Sequence, residues 1–223
     1  VEIETLFFTP GAEEHLLPYA DLIEKGCRKA FRVSDEVISY LTDTVNPQGM
    51  IAVFPFVHEE DLSLVEDSGQ PLVLLDRVRD PGNLGAMIRA ADAAGMKALL
   101  VSEESADIYN PKVVRASAGS IFHLPLFIEW ETREVITRLK SKGYTVVATT
   151  ARGEVSFWDY PWTGNTLVML GNEAWGIPPD DEELADARVR VPIFGKAESL
   201  NVATAATLIF YEIERRLRVK DKG

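Results

Sequence analysis

Short apolar runs alternate along this chain with stretches of helical spacing, and that alternation predicts the order of its elements. Residues 1–57 predict a strand over Glu2–Thr9, a helix near Glu13–Lys25, a strand around Ala30–Val33, a helix over Asp35–Thr42 started by Ser34, and a strand over Met50–Phe56. Residues 58–71 are acidic and carry Ser63, Ser68, Gly69 and Pro71, which is a linker by composition. From Leu72 the pattern restarts: LVLLD predicts a strand, RVRDPGN a turn, and the alanine-rich stretch from Leu84 a helix closing at Gly95. Ala98–Val101 reads as a strand, and Asn110–Pro125 as a helix beginning near Pro111 that leads into a strand reaching Phe127 or Ile128. Thr132–Lys142 is an amphipathic helix stopped by Gly143, and Tyr144–Thr149 a buried strand. Thr166–Leu170 is a strand running into the loop GNEAWGIPPD, Asp180–Ala187 a short acidic helix, and Asn201–Arg218 the last helix. Strands alternating with helices over residues 72–223 imply an α/β domain whose mainly parallel sheet is covered on both faces. Residues 1–57 imply a separate small α/β domain.

Composition narrows the classes. At 223 residues and 46% hydrophobic content the chain can bury a real core, and its conspicuous apolar run, Ile51–Val57, is broken by Pro55, so no membrane span is expected. The single cysteine, Cys27, excludes an internal disulfide, and with only the scattered His15, His58 and His123 no metal site is expected; both fit a cytoplasmic protein. The chain opens on Val1 directly into an apolar run, which suggests an N-terminally truncated first domain. A net charge of −12 argues against a protein that simply coats nucleic acid. Residues 1–66 carry 13 acidic and 4 basic side chains, the remainder 22 and 19, so any RNA contact by the second segment needs its cations focused on one face.

Three loops concentrate the chemistry. VRVPIFGKAESLNVATAAT, Val189–Thr207, reads as a strand stopped by Pro192, a polar loop, and a helix start where Ser199 or Asn201 either caps the backbone or also serves a ligand. In LDRVRDPGNLGAMIRAADAAG, Leu75–Gly95, the turn Asp80–Asn83 follows a strand, and Arg89 can point toward the same crevice. The bland alternative has Asn83 capping the helix and Arg89 paired with Asp92 or Asp80. MLGNEAWGIP, Met169–Pro178, is a further strand and glycine-containing loop, with Glu173 either functional or simply exposed. None has the spacing of a dinucleotide fingerprint or a P-loop.

Together and in order, these segments resemble the three signature motifs of the SpoU (TrmH-type) RNA ribose 2′-O-methyltransferases of the SPOUT superfamily, over about Leu72–Leu217. Asn110–Pro125, with Arg115, Ser117 and Gly119, is similar to a further family segment, and residues 1–57 look like part of its small substrate-binding domain. The resemblance implies a C-terminal trefoil knot, which periodicity would never suggest since knots are rare. It also implies S-adenosylmethionine held by Gly171, Val191 and Leu200 with Thr149 and Thr150 nearby, and a catalytic and RNA-positioning set of Asn83, Arg89, Glu173, Ser199 and Asn201. Arg115 becomes a phosphate contact or else an ordinary helix salt bridge. The chain departs from the family at Ala174-Trp175, where many relatives carry small residues, and Trp175 either stacks on a base or covers the knot. The family works as a homodimer with the site completed across the interface. Ribosomal RNA is the expected substrate and transfer RNA the runner-up; a non-catalytic RNA-binding or ribosome-assembly factor on the same fold, and a small-molecule methyltransferase, are the competing classes.

Overall fold

The first apolar run folds as β1 (Thr5–Phe8), which pairs in parallel with β2 (Ala30–Arg32) and antiparallel with β3 (Met50–Val53). This computed structural model describes residues 2–220, and the chain divides into two compact units at Val57 and His58. In the first unit, Thr9 caps α1 (Pro10–Leu16) by accepting the Ala12 N–H at 3.3 Å. The single helix expected over Glu13–Lys25 is three pieces: α1, a 3-10 turn at Leu17–Tyr19, and α2 (Ala20–Gly26). The break falls at Pro18, which has no N–H to give an α-helix. After α3 (Asp35–Leu41), the unit buries few apolar side chains, among them Leu6, Ala12 and Ile38.

The second unit is built on seven parallel strands: β4 (Leu72–Leu75), β5 (Ala98–Ser102), β6 (Leu126–Trp130), β7 (Thr145–Thr149), β8 (Val155–Ser156), β9 (Thr166–Leu170) and β10 (Ala187–Arg190). Their order across the sheet is β6-β5-β4-β9-β7-β10-β8. All six neighbouring pairs run parallel, the geometry that demands apolar cover on both faces. On one face Leu72, Leu74, Ala148 and Met169 pack with Val135, Ile136 and Leu139 of α7 (Thr132–Ser141). Val73, Leu75, Val147 and Val168 alternate to the other face and are equally buried, as are Met87, Ile88, Ile209 and Phe210 of α5 (Pro81–Ala94) and α9 (Val202–Lys220), which pack on each other. At Gly85 a Cβ would stand 2.5 Å from the Val113 carbonyl oxygen, so the absence of a side chain there is what lets α5 lie against α6 (Pro111–Ser117).

Three expectations shift. The stretch read as a linker holds a helical turn, α4 (Ser63–Glu66), and Leu62 and Val65 are buried in the same core. α5 starts at Pro81 rather than Leu84, because Asp80 caps it by accepting the Asn83 N–H at 2.8 Å; Asn83 is therefore not the cap. The acidic helix expected over Asp180–Ala187 is only α8 (Pro179–Glu182). Asp186 leaves it to accept the Val146 N–H at 2.8 Å, and Ala187 joins β10. β10, the last strand among the described residues, thus lies between β7 and β8, which are consecutive in sequence.

Glu66, almost wholly buried, accepts from Arg138 at 2.6 Å and pairs with Lys142 at 3.0 Å. The Arg138 hydrogen bond, backed by Lys142, holds its carboxyl below the ordinary glutamate range. The folded chain thus gives up this proton more readily than the unfolded chain. The stabilisation is complete above the unfolded value of about 4.3 and is lost as pH falls through the lower folded value. Urea unfolding of wild type and Glu66→Gln should show the widest gap near neutral pH and a closing gap below about pH 4; a gap independent of pH would remove this role.

Candidate functional site

Because β4, β9, β7 and β10 are adjacent and parallel, their carboxyl ends at Leu75, Leu170, Thr149 and Arg190 open onto one edge of the sheet. The chain leaves β4 through Asp76, which is fully buried. Its carboxylate accepts from Thr132 Oγ1 at 2.8 Å, Ser102 Oγ at 3.3 Å and Arg77 Nη1 at 3.0 Å. Burial pushes this carboxyl above its usual range, against the pull of the Thr132 hydroxyl and the Arg77 guanidinium. Arg77 also donates to Asp181 at 2.8 Å, a bond that raises its own pKa, and its backbone adopts φ 53°, uncommon for a side-chain-bearing residue.

The loop after β9 is tied to this cluster. Asn172 donates its side-chain amide to the Arg77 carbonyl at 2.8 Å and its Oδ1 accepts the Ala174 N–H at 2.8 Å, while its backbone exchanges two hydrogen bonds with Gly176. A Cβ on Gly171 would lie 2.3 Å from the Gly176 backbone, so the loop closes this tightly only with glycine there. Glu173 is presented outward. Its carboxylate accepts the Arg79 and Asp80 N–H groups at 3.3 and 3.1 Å and the Asn83 side-chain amide at 3.2 Å. Asn83 Oδ1 in turn accepts from Asn201 Nδ2 at 2.8 Å. Asn201 also caps α9, its Oδ1 accepting the Ala203 N–H at 2.9 Å, so one side chain serves both readings that the sequence left open.

Beside this Asn83–Glu173–Asn201 chain lies a cavity of about 580 Å³, within the range of small-ligand sites. Thr149, Thr150, Gly171, Val191 and Leu200 all line it, as do Glu173 and Ser199, with Leu170, Ile193 and Val202 as apolar wall. Two features suit a ligand with a positive centre and polar groups. Glu173 and Glu198 stand on the lining, while the guanidinium of Arg190 is taken up by the Gly153 and Glu154 carbonyls. Thr149 Oγ1 is buried without a hydrogen-bond partner among the described residues, an orphaned polar atom that a ligand can satisfy.

Arg89 and Arg115 stay outside both the hydrogen-bond chain and the cavity lining. Each is exposed, and neither makes a side-chain hydrogen bond or ion pair among the described residues, so the pairings of Arg89 with Asp92 or Asp80 are not formed. Asp92 is engaged by His123 at 3.2 Å and Asp80 by Lys112 at 3.4 Å. Sequence reasoning missed Asp76, Arg77, Asp181 and Asn172. For Asn172 a signal existed, its place directly before Glu173, whereas the others are joined by contacts too distant in sequence to read.

The profile of the SpoU rRNA Methylase family matches residues 70–211, and a profile described as RNA 2′-O ribose methyltransferase substrate binding matches residues 1–59. The chain is 35% identical, over 95% of its own length and 84% of the relative's, to the Bacillus subtilis protein named 23S rRNA (guanosine(2553)-2′-O)-methyltransferase RlmP. Among solved structures it is similar to an AdoMet-bound rRNA methyltransferase from Sinorhizobium meliloti, with a TM-score of 0.84, 34% identity, and coverage of 97% of this chain and 81% of that one. It is also similar to the SpoU methyltransferase AviRb from Streptomyces viridochromogenes in complex with AdoMet, with a TM-score of 0.81, 32% identity, and coverage of 97% and 83%.

The orphaned hydroxyl gives a direct test. Thr149→Val keeps the shape and removes a buried oxygen that no group among the described residues satisfies, so thermal unfolding should show stability unchanged or raised by about 1 kcal/mol. A loss of more than about 1 kcal/mol would mean that the hydroxyl already has a partner in the free protein.

Proposed function

The chain belongs to the SpoU rRNA methylase family, and from that membership and the cavity we propose that it is an S-adenosylmethionine-dependent methyltransferase acting on a ribose 2′-hydroxyl of ribosomal RNA. The observation that carries the reading is similarity along almost the whole chain to a named 23S rRNA 2′-O-methyltransferase and to AdoMet-bound structures, together with a cavity suited to a cationic ligand. The relative named for 23S rRNA supports ribosomal over transfer RNA, and the RNA substrate-binding profile over residues 1–59 supports giving the first unit the task of holding RNA.

S-adenosylmethionine, when bound, supplies a methyl group on a cationic sulfur, already a strong electrophile. Backbone groups of Gly171, Val191 and Leu200, the Thr149 hydroxyl and Thr150 hold it. The remaining work of the chain is alignment of the ribose hydroxyl and help with one proton. Arg89 positions that hydroxyl and the adjacent phosphate; a guanidinium stays protonated and is a poor base. Asn83, Ser199 and Asn201 orient the ribose, Glu173 fixes the loops that carry them, and Arg115 contacts a phosphate.

The same reading includes a trefoil knot, in which the chain after Leu170 threads the segment between β7 and β9. It is supported by the position of β10 between β7 and β8, by the stacking of Trp158 on Phe194, and by the hydrogen bond from Arg216 to the Trp158 carbonyl. It includes a homodimer, supported by the apolar surface of Trp158, Phe194, Leu208 and Tyr211, where Phe194 is 82% exposed. The reading also includes a cytoplasmic enzyme, supported by the ribosomal RNA it is proposed to act on.

Calorimetric titration with S-adenosylmethionine tests the site. Wild type should bind saturably, Thr149→Val about tenfold more weakly, and Leu200→Pro, which distorts the loop before α9, not at all. Arg89→Ala should bind the methyl donor normally yet lose about a hundredfold or more in methyl transfer to ribosomal RNA. Absence of binding by wild type would sink the enzyme reading in favour of a non-catalytic RNA-binding protein.

A further inference from the structure

The loop that carries Glu173 also carries Trp175, and the hydrogen bonds of Asn172 to Ala174 and Gly176 fix that loop from within. A large apolar ring on so constrained a loop would ordinarily turn inward, yet Trp175 is 55% exposed. It has one notable neighbour: the Arg79 guanidinium lies over the ring at 5.2 Å from its centroid. Arg79 is itself held by Glu104 at 2.6 Å, and its N–H is one of the donors to Glu173. The pair therefore stands directly beside the Asn83–Glu173–Asn201 chain, separated from Glu173 by one residue on one side and by one hydrogen bond on the other.

From this placement we infer that Trp175 and Arg79 form a stacking site for a nucleobase of the RNA strand, next to the ribose that the Asn83–Glu173–Asn201 chain serves. The inference rests on the proposed function. Aromatic rings and guanidinium planes are the surfaces on which unstacked RNA bases settle, and either binds any base through its π face. Glu104 neutralises much of the Arg79 charge, so the pair acts as a flat platform more than as a phosphate contact. The exposed remainder of the indole is where the base lies. The platform thus sets how the strand enters the site, while the cavity beyond Glu173 belongs to the methyl donor.

Binding of in vitro transcribed large-subunit ribosomal RNA to the full chain, read by tryptophan fluorescence and filter retention, tests this independently of methyl transfer. Trp175→Ala should weaken RNA binding roughly ten- to a hundredfold, Trp175→Phe should restore most of it, and S-adenosylmethionine affinity should not change. Because stacking releases no counterions, the dependence of RNA affinity on salt should keep its slope in Trp175→Ala. Wild-type emission should be quenched by RNA, and Trp175→Phe should lose that quenching. RNA affinity unchanged in Trp175→Ala, or equal losses of RNA and methyl-donor affinity, would overturn the inference. Wild type that binds RNA without methylating it would defeat the enzyme reading alone, and wild type that binds no RNA would defeat both.

Discussion

A carboxylate removed from water must be given partners, and at Asp76 that requirement organises the active edge of the sheet. Its partners come from β5 (Ser102), from the first residue of α7 (Thr132) and from its own neighbour Arg77. Arg77 hands the charge on to Asp181 beyond β9, and its carbonyl anchors Asn172. A single buried charge thus locks together the ends of separate elements, and truncating one member of such a set leaves the others unsatisfied at a cost well above that of a surface contact. The loops bearing Glu173 and Arg79, and the first turn of α5 with Asn83, follow directly from the elements this cluster ties together. It touches no proposed ligand, yet the geometry of the site follows from it.

How much of this was legible in the sequence depends on how local the cause is. The strands Leu72–Leu75 and Thr166–Leu170 announce themselves as apolar runs, and the cap at Asn201 and the stop at Gly143 are signals within a few residues of their effect. The Asp80 cap was hidden because Asp80 and Asn83 both suit such a position and only the N–H that is met decides between them. Competition from tertiary contacts shortened α8, since Asp186 is worth more to the amide of Val146 than to another helical turn. The two-residue strand β8 has no period to detect. Bonds such as Asn201 to Asn83, 118 residues apart, are invisible to periodicity, and only the ordered motifs of a family brought those residues into one list.

The distribution of charge is consistent with a division of labour at the site. Carboxylates on the cavity lining favour a cationic ligand and disfavour phosphate, which suits the proposed methyl-donor site better than a path for the RNA backbone. Exposed cations such as Arg89 and Arg115 lie outside the lining, where phosphates can be met. A segment close to neutrality overall can then bind a polyanion through a few arginines.

The place of β10 between β7 and β8 has a consequence for the birth of the protein. The cavity is walled by residues from Thr149 to Ala205, and the strand that completes its sheet edge is the last to be synthesised. Pairings between segments far apart in the chain form late, because the intervening loop must be closed before any contact rewards it. On a translating ribosome the core of β4, β5 and β6 can therefore assemble while the ligand cavity does not yet exist. A nascent chain acquires its cavity only as α9 emerges, so an incomplete translation product carries much of the fold without the walled space proposed to hold a ligand.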